Sequence, residues 1–174
     1  SMVVGHSQTG KIIHFQVFYH LCEFLSGRHT HGVIPQIKGV SLDTIPVDYV
    51  AKAIVYSALN PEKTKGRIFH LCSGPDSAMP IGELASRISQ AMGGKSPFTI
   101  PYGVFRHGLG IMARFSGERN RKALRNLPIF LNYLELPQQF SNQVSKPFFE
   151  GAGIQNLSPY AYLPTVLGYY LKSR

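Results

Sequence analysis

An α/β fold is predicted from three observations. Short apolar runs of strand character alternate with longer segments whose apolar residues keep helical spacing. Glycine and proline punctuate the changeovers, at Gly5, Gly27, Asn60-Pro61 and Gly93-Gly94. Hydrophobic residues make up 44% and charged residues 16% of the chain. That composition excludes a disordered chain, which needs low hydrophobicity and high charge. At 174 residues the chain has the size of one domain or a large piece of one. No composition shift marks a boundary, so residues 1–174 read as a single domain.

The elements follow in order. Met2-Val3-Val4 reads as a short strand ending at Gly5, and Gly5 to Gly10 as a loop. Ile12, Ile13, Phe15, Gln16, Phe18, Tyr19, Cys22, Phe24 and Leu25 fit a helix buried on most sides, with Gly27 as its stop. Residues 28–41 are irregular. Leu42 to Pro46 is strand-like, and Asp48 caps or opens a helix that carries Val50, Ala51, Ile54, Val55, Ala58 and Leu59 on one face. Asn60-Pro61 ends it. Arg67 to Cys72 has strand character and runs into a Ser-Gly-Pro-Asp turn. Ile81 to Met92 keeps helical spacing, with Pro80 near the start and two glycines past the end. Phe98 to Ile100 reads as a strand. Residues 104–136 are helical in pattern but interrupted by Gly108, Gly110, Gly117 and Pro128. Residues 140–157 look looped, and Leu163 to Leu171 forms a short Tyr-rich helix.

Charge narrows the partners. Lys and Arg number 18 against 9 Asp and Glu, a net charge of +9. Residues 88–174 carry most of the excess, and 106–125 sets Arg106, Arg114, Arg119, Arg121, Lys122 and Arg125 against Glu118 alone. Such a stretch calls for an acidic partner or phosphates. It matches no helix-turn-helix, zinc-finger or RNA-binding pattern and contains only Phe115 as an aromatic, which argues against nucleic acid. Two cysteines, Cys22 and Cys72, exclude a disulfide-dense secreted scaffold. No apolar run approaches the roughly 20 residues of a spanning helix, and no signal-peptide pattern opens the chain, so the cytoplasm is expected. The Ser1-Met2 start reads as a tag remnant or as a cut-out piece of something longer.

Catalytic signatures are sparse. Gly5 and Gly10-Lys11, between a strand and a helix, approach the spacing of a phosphate-binding P-loop. The next residue is Ile12, which cannot ligate Mg²⁺, and a glycine-bounded loop with a coincident lysine is the plain alternative. His29 and His31 share a loop, but no Cys-x-x-Cys or His-Glu-x-x-His accompanies them, so no metal site is expected. Cys72 lies in an apolar run and reads as core. His70 falls two residues away, outside a dyad arrangement.

Three stretches together carry a family resemblance. They are Ser1-Met-Val-Val-Gly5-His-Ser-Gln-Thr-Gly10, then Ile45-Pro-Val-Asp48-Tyr-Val-Ala51-Lys-Ala53-Ile54, then Gly66-Arg-Ile-Phe69-His70-Leu71. In the tail, Phe140-Ser-Asn142, Gly151-Ala-Gly153-Ile154 and Tyr162-Leu-Pro164 add to it. In this order the chain resembles the C-terminal half of an extended short-chain dehydrogenase/reductase, nearest to the thioester reductase and fatty acyl-CoA reductase group. The resemblance implies the last sheet strands and helices of a Rossmann-like fold plus a small, mostly helical substrate-binding lobe. It implies hydride transfer from NADP(H) to a carbonyl or acyl thioester on CoA or an acyl carrier protein.

The departures are informative. The family's glycine-rich dinucleotide turn is absent, and none of the nine tyrosines is followed four residues later by the Lys of the Tyr-x-x-x-Lys pair. The resemblance therefore implies that the dinucleotide-binding half is missing here and that the chain holds no catalytic residue of its own. NADP(H) is expected in the full-length parent and no tight cofactor binding by this chain alone. By resemblance Ser1, Met2 and Val3 line the cofactor's edge, and Gly5, His6, Ser7 and Phe15 face the substrate. Arg119, Arg121, Lys122 and Arg125 are assigned to docking of phosphates or a carrier protein. Half a sheet leaves an edge and an apolar face, so self-association or pairing with the missing half is expected. Two other readings stay open: a nucleotide-binding domain with a degenerate P-loop from Gly5 to Lys11, and a non-catalytic basic binding module.

Overall fold

The computed structural model describes residues 1–115, 131 and 139–173. In chain order the elements are β1 (Met2–Val4), α1 (Val17–Leu25), β2 (Val33–Pro35), β3 (Ser41–Leu42), β4 (Thr44–Pro46), α2 (Val47–Leu59) and α3 (Pro61–Thr64). They continue with β5 (Met79–Pro80), α4 (Ile81–Ala91), β6 (Phe98–Ile100), α5 (Tyr102–Phe115), α6 (Ser145–Glu150) and α7 (Pro159–Lys172). The mixed α/β character follows the sequence pattern, and the described residues form three two-stranded sheets of order β1-β4, β2-β6 and β3-β5.

The chain sorts into two compact units. One comprises Ser1–Phe18, Leu42–Met79 and Gln139–Arg174, and the other Tyr19–Ser41 and Pro80–Gln138. Each is assembled from separated stretches of sequence. A unit built that way leaves no single point at which composition changes.

In the first unit β1 and β4 pair in parallel, Met2 opposite Thr44, Val3 opposite Ile45 and Val4 opposite Pro46. Val4 and Ile45 are buried, as are Leu163, Val166 and Leu167 of α7. Tyr162 of α7 fastens β4: its hydroxyl donates to the Thr44 carbonyl at 2.6 Å and pairs with Thr44 Oγ1 at 2.8 Å. α7 starts cleanly because Ser158 caps it and Pro159 occupies its first turn.

An aromatic cluster packs the far side of α2. Tyr49 and Tyr56 meet Phe149 edge-on, and Phe69 stacks on Phe148 with centroids 4.6 Å apart. The Arg67 guanidinium lies over Phe69 and Phe148 at 5.0 and 4.8 Å. This cluster corrects the expected orientation of α2. An apolar face at helical spacing is normally the packed one. Here Tyr49 and Ala53 are buried, whereas Ile54, Val55 and Leu59 are 60%, 56% and 75% exposed. The aromatic side chains bury more surface per residue than the aliphatics, and they set the roll of the helix.

Two further expectations change. The helix expected from Ile12 begins only at Val17. The loop that ends at Lys11 is closed by a bond from His6 N to Lys11 O, and Ile13 beyond it is 90% exposed. Phe15 instead meets Tyr170 edge-on at 4.9 Å. The second change concerns 67–72, which joins no sheet. Side chains from distant stretches satisfy its carbonyls: Ser145 Oγ donates to His70 O, Asn142 Nδ2 to Cys72 O and Ser73 O, and Asn156 Nδ2 to Cys72 O. A backbone polar group can be satisfied by a side chain as well as by a ladder.

In the second unit β2 and β6 pair in parallel, from Val33 opposite Phe98 to Pro35 opposite Ile100. α4 buries Ile81, Leu84, Ala85 and Ile88, the face its spacing predicts. Phe24 packs edge-on against Phe105 of α5 at 6.1 Å. The interrupted pattern over 104–136 overlaps α5; apart from Leu131, its remainder lies outside the described residues, as do Arg119, Arg121, Lys122 and Arg125.

Candidate functional site

The site lies in the first unit, at the carboxyl ends of β1 and β4. Parallel strands deliver their following segments to one edge of the sheet, and open α/β folds bind ligands there. β1 leads into the loop Gly5–Gly10, and β4 leads directly into the first turn of α2. Asp48 therefore stands beside a loop 41 residues away in sequence.

Asp48 organises that loop. Ser7 N donates to its Oδ1 at 2.8 Å, and Ser7 Oγ donates to its Oδ2 at 2.8 Å. Lys52 Nζ, one turn along α2, lies 3.9 Å from Oδ2, and His6 Nδ1 lies 4.0 Å from Oδ1. Burial alone would raise the Asp48 pKa. The two bonds from Ser7, one from its own backbone and the nearby His6 outweigh it, so the carboxyl sits below the ordinary carboxylate value. Asp48 is not a helix cap: Pro46 holds that position and α2 begins at Val47. It is a first-turn acid, favourably placed against the helix dipole.

The loop is closed on itself. His6 N donates to Lys11 O at 3.0 Å, Gly10 N to His6 O at 2.7 Å, and Gln8 N to His6 Nδ1 at 3.2 Å. Since His6 Nδ1 accepts, the neutral ring carries its proton on Nε2. Gly10 has φ +71°, and a Cβ there would stand 2.5 Å from Thr165 O and Tyr169 Cβ of α7. Only glycine fits that seat.

These bonds overturn the phosphate-loop reading. Phosphate needs backbone N–H groups directed outward at the start of a helix. The amides of His6, Ser7, Gln8 and Gly10 all donate inward, Asp48 occupies the place an anion would take against Ser7, and α1 starts six residues beyond Lys11. The same geometry bears on NADP(H), which the family resemblance implies. The described loop does not fit a dinucleotide's pyrophosphate.

The residues expected to line the site divide into two sets. Gly5, His6 and Ser7 come together at the strand ends, with Ser7 only 7% exposed and bonded to Asp48. Phe15 follows the loop and rests on Tyr170. Ser1, Met2 and Val3 lie at and along β1, and Ser1 Oγ donates to Asp43. Asp43 is a second carboxylate and, unlike the half-buried Asp48, is buried, accepting also from Ser73 N at 3.0 Å and Gly74 N at 3.3 Å. Sequence reasoning missed Asp43, and it missed Asn142 and Asn156, which bond to the carbonyls of the same 72–74 turn. The only available signal was the pair of acids that brackets β4, Asp43 and Asp48. Among the described residues no group of three or more His, Cys, Asp or Glu is placed to hold a metal ion. Nor is any described helix long and apolar enough to cross a membrane.

No protein-family model and no curated protein matches the chain. Among solved structures it is similar to the terminal R domain from the myxalamid PKS-NRPS biosynthetic pathway, with a TM-score of 0.64 and 25% sequence identity. The match covers 99% of this chain and 41% of that one, so the chain spans less than half of its structural neighbour. The likeness supports the coarse α/β family to which that R domain belongs.

Proposed function

We propose that the chain is the substrate-side portion of an NADP(H)-dependent reductase that acts on a carbonyl or an acyl thioester carried by CoA or an acyl carrier protein. One observation carries the reading: a self-closed loop, locked by Asp48, stands at the carboxyl ends of two parallel strands in a chain similar to an R domain along 99% of its length. In this reading Gly5, His6, Ser7 and Phe15 form the wall against the acyl group. His6 contributes an Nε2–H able to donate to a carbonyl oxygen, and Ser7 holds the loop in place. Ser1, Met2 and Val3 border the cofactor, whose phosphates are held by polypeptide outside this chain. Arg119, Arg121, Lys122 and Arg125 dock the phosphates of CoA or the acidic face of a carrier; that assignment rests on charge alone.

The test is a fluorescence titration with NADPH. It compares this chain with a longer polypeptide extended upstream by about 150–200 residues, roughly one Rossmann half. Binding and thioester reduction by the longer polypeptide only is the expected outcome. Binding by neither ends the reductase reading.

A further inference from the structure

α2 carries apolar residues on two sides, with the Asp48–Lys52 pair between them. Its inner side carries Tyr49 and Ala53, both buried. Its outer side carries Val47, Ala51, Ile54, Val55, Ala58 and Leu59, a stripe at helical spacing bordered by Asp48 and Lys52, and every one of these apolar residues is exposed. Single exposed aliphatics are ordinary, but a full stripe on one helix is the pattern of a helix covered on both sides. The sheet beside it is equally incomplete. β1 and β4 form a parallel pair with no third strand among the described residues. Parallel sheets occur with more strands and with both faces covered, and two strands alone are marginal.

We propose that the outward stripe of α2 is an interface for further α/β structure, the counterpart of the 59% of the neighbouring R domain that this chain does not span. The inference rests on the substrate-side reading given above. A second copy of this chain is the poorer occupant. Each copy carries +9, and a strip of four larger aliphatics and two alanines falls short of the roughly 800 Å² per partner typical of a stable separate complex. A covering layer in the same polypeptide has no such requirement, because covalent linkage has already removed most of the association entropy.

Thiol labelling tests this. Cys22 and Cys72 are buried, so background labelling is low. Ile54→Cys and Leu59→Cys are compared with the control Glu62→Cys on the exposed α3, using a maleimide, in this chain and in the upstream-extended polypeptide. The stripe cysteines should label at the control rate in this chain and at least tenfold more slowly in the longer one, with the control unchanged. Amide hydrogen exchange over residues 47–59 of the unsubstituted proteins reads the same protection if a variant fails to fold. Equal labelling in a longer polypeptide that binds NADPH overturns the interface while leaving the reductase reading intact. A longer polypeptide that does not bind NADPH removes the reading on which the interface rests. Slowing in this chain alone that grows with protein concentration overturns the proposal in favour of a second copy.

Discussion

At the scale of single residues, Asp48 has the widest reach of any group in the site. Its two oxygens accept both donors of Ser7, and Lys52 and His6 stand at their flanks. Hydrogen bonds to a charged, mostly buried partner contribute about 1.5–3 kcal/mol each, less where water competes. Asp48→Ala should therefore lower unfolding free energy by about 1–3 kcal/mol, measured by urea denaturation at neutral pH. Acid should mimic the substitution. The folded carboxyl holds its proton more weakly than the ordinary value of 3.8, so its stabilisation is present above that value and is lost as pH falls through the lower folded one. A variant whose acid limb coincides with that of the parent protein would show that Asp48 does not hold the loop. The strand, the loop and the two glycines were legible because they are local in sequence. The partnership of Ser7 with Asp48 was not, because only the parallel pairing of β1 and β4 brings them together.

At the scale of elements, the segment 67–72 shows how a run of strand character can be satisfied without a ladder. Its apolar run has the pattern of a strand, and nothing in those six residues reveals that Ser145, Asn142 and Asn156 take the place of a neighbouring strand. The roll of α2 was misread for a related reason. Helical spacing identifies an apolar face, and it cannot weigh that face against Tyr49 and Tyr56, whose partners Phe148 and Phe149 lie about a hundred residues on. Asn142 joins two of these distant pieces. Gly74 has φ +87°, and a Cβ there would lie 2.6 Å from Asn142 Oδ1. Asn142→Ala should leave the Ser73 carbonyl without its 2.9 Å donor and cost about 1–3 kcal/mol. Chemical denaturation measures it, and a cost below about 0.5 kcal/mol would mean that solvent replaces the amide without loss.

At the scale of the whole chain, alkaline pH sets the other limit of stability. Burial, aided by Cys72 and Glu150, pushes the Tyr49 hydroxyl up to about 12. Burial also raises Tyr162, only partly offset by its bond to Thr44, and it raises the thiols of Cys22 and Cys72. A group whose folded pKa is raised contributes fully below its unfolded value and loses that contribution as pH climbs toward the folded one. The thiols begin to lose theirs near 9 and the phenols near 10. The urea midpoint should hold up to about pH 9 and then fall, and Tyr162→Phe should make the fall shallower. A midpoint unchanged to pH 11 would contradict the burial of these groups.

Gly10 has a consequence for how such a loop can change over generations. Its seat against Thr165 and Tyr169 admits no side chain, and Ser7 is committed to Asp48, so both ends of the turn are fixed. Between them Gln8 and Thr9 are exposed. A turn clamped at its ends and open at its crest can exchange the crest residues without disturbing its own course. Descendants of this chain can therefore vary two positions at the crest, while the clamp keeps the imidazole of His6 where it is.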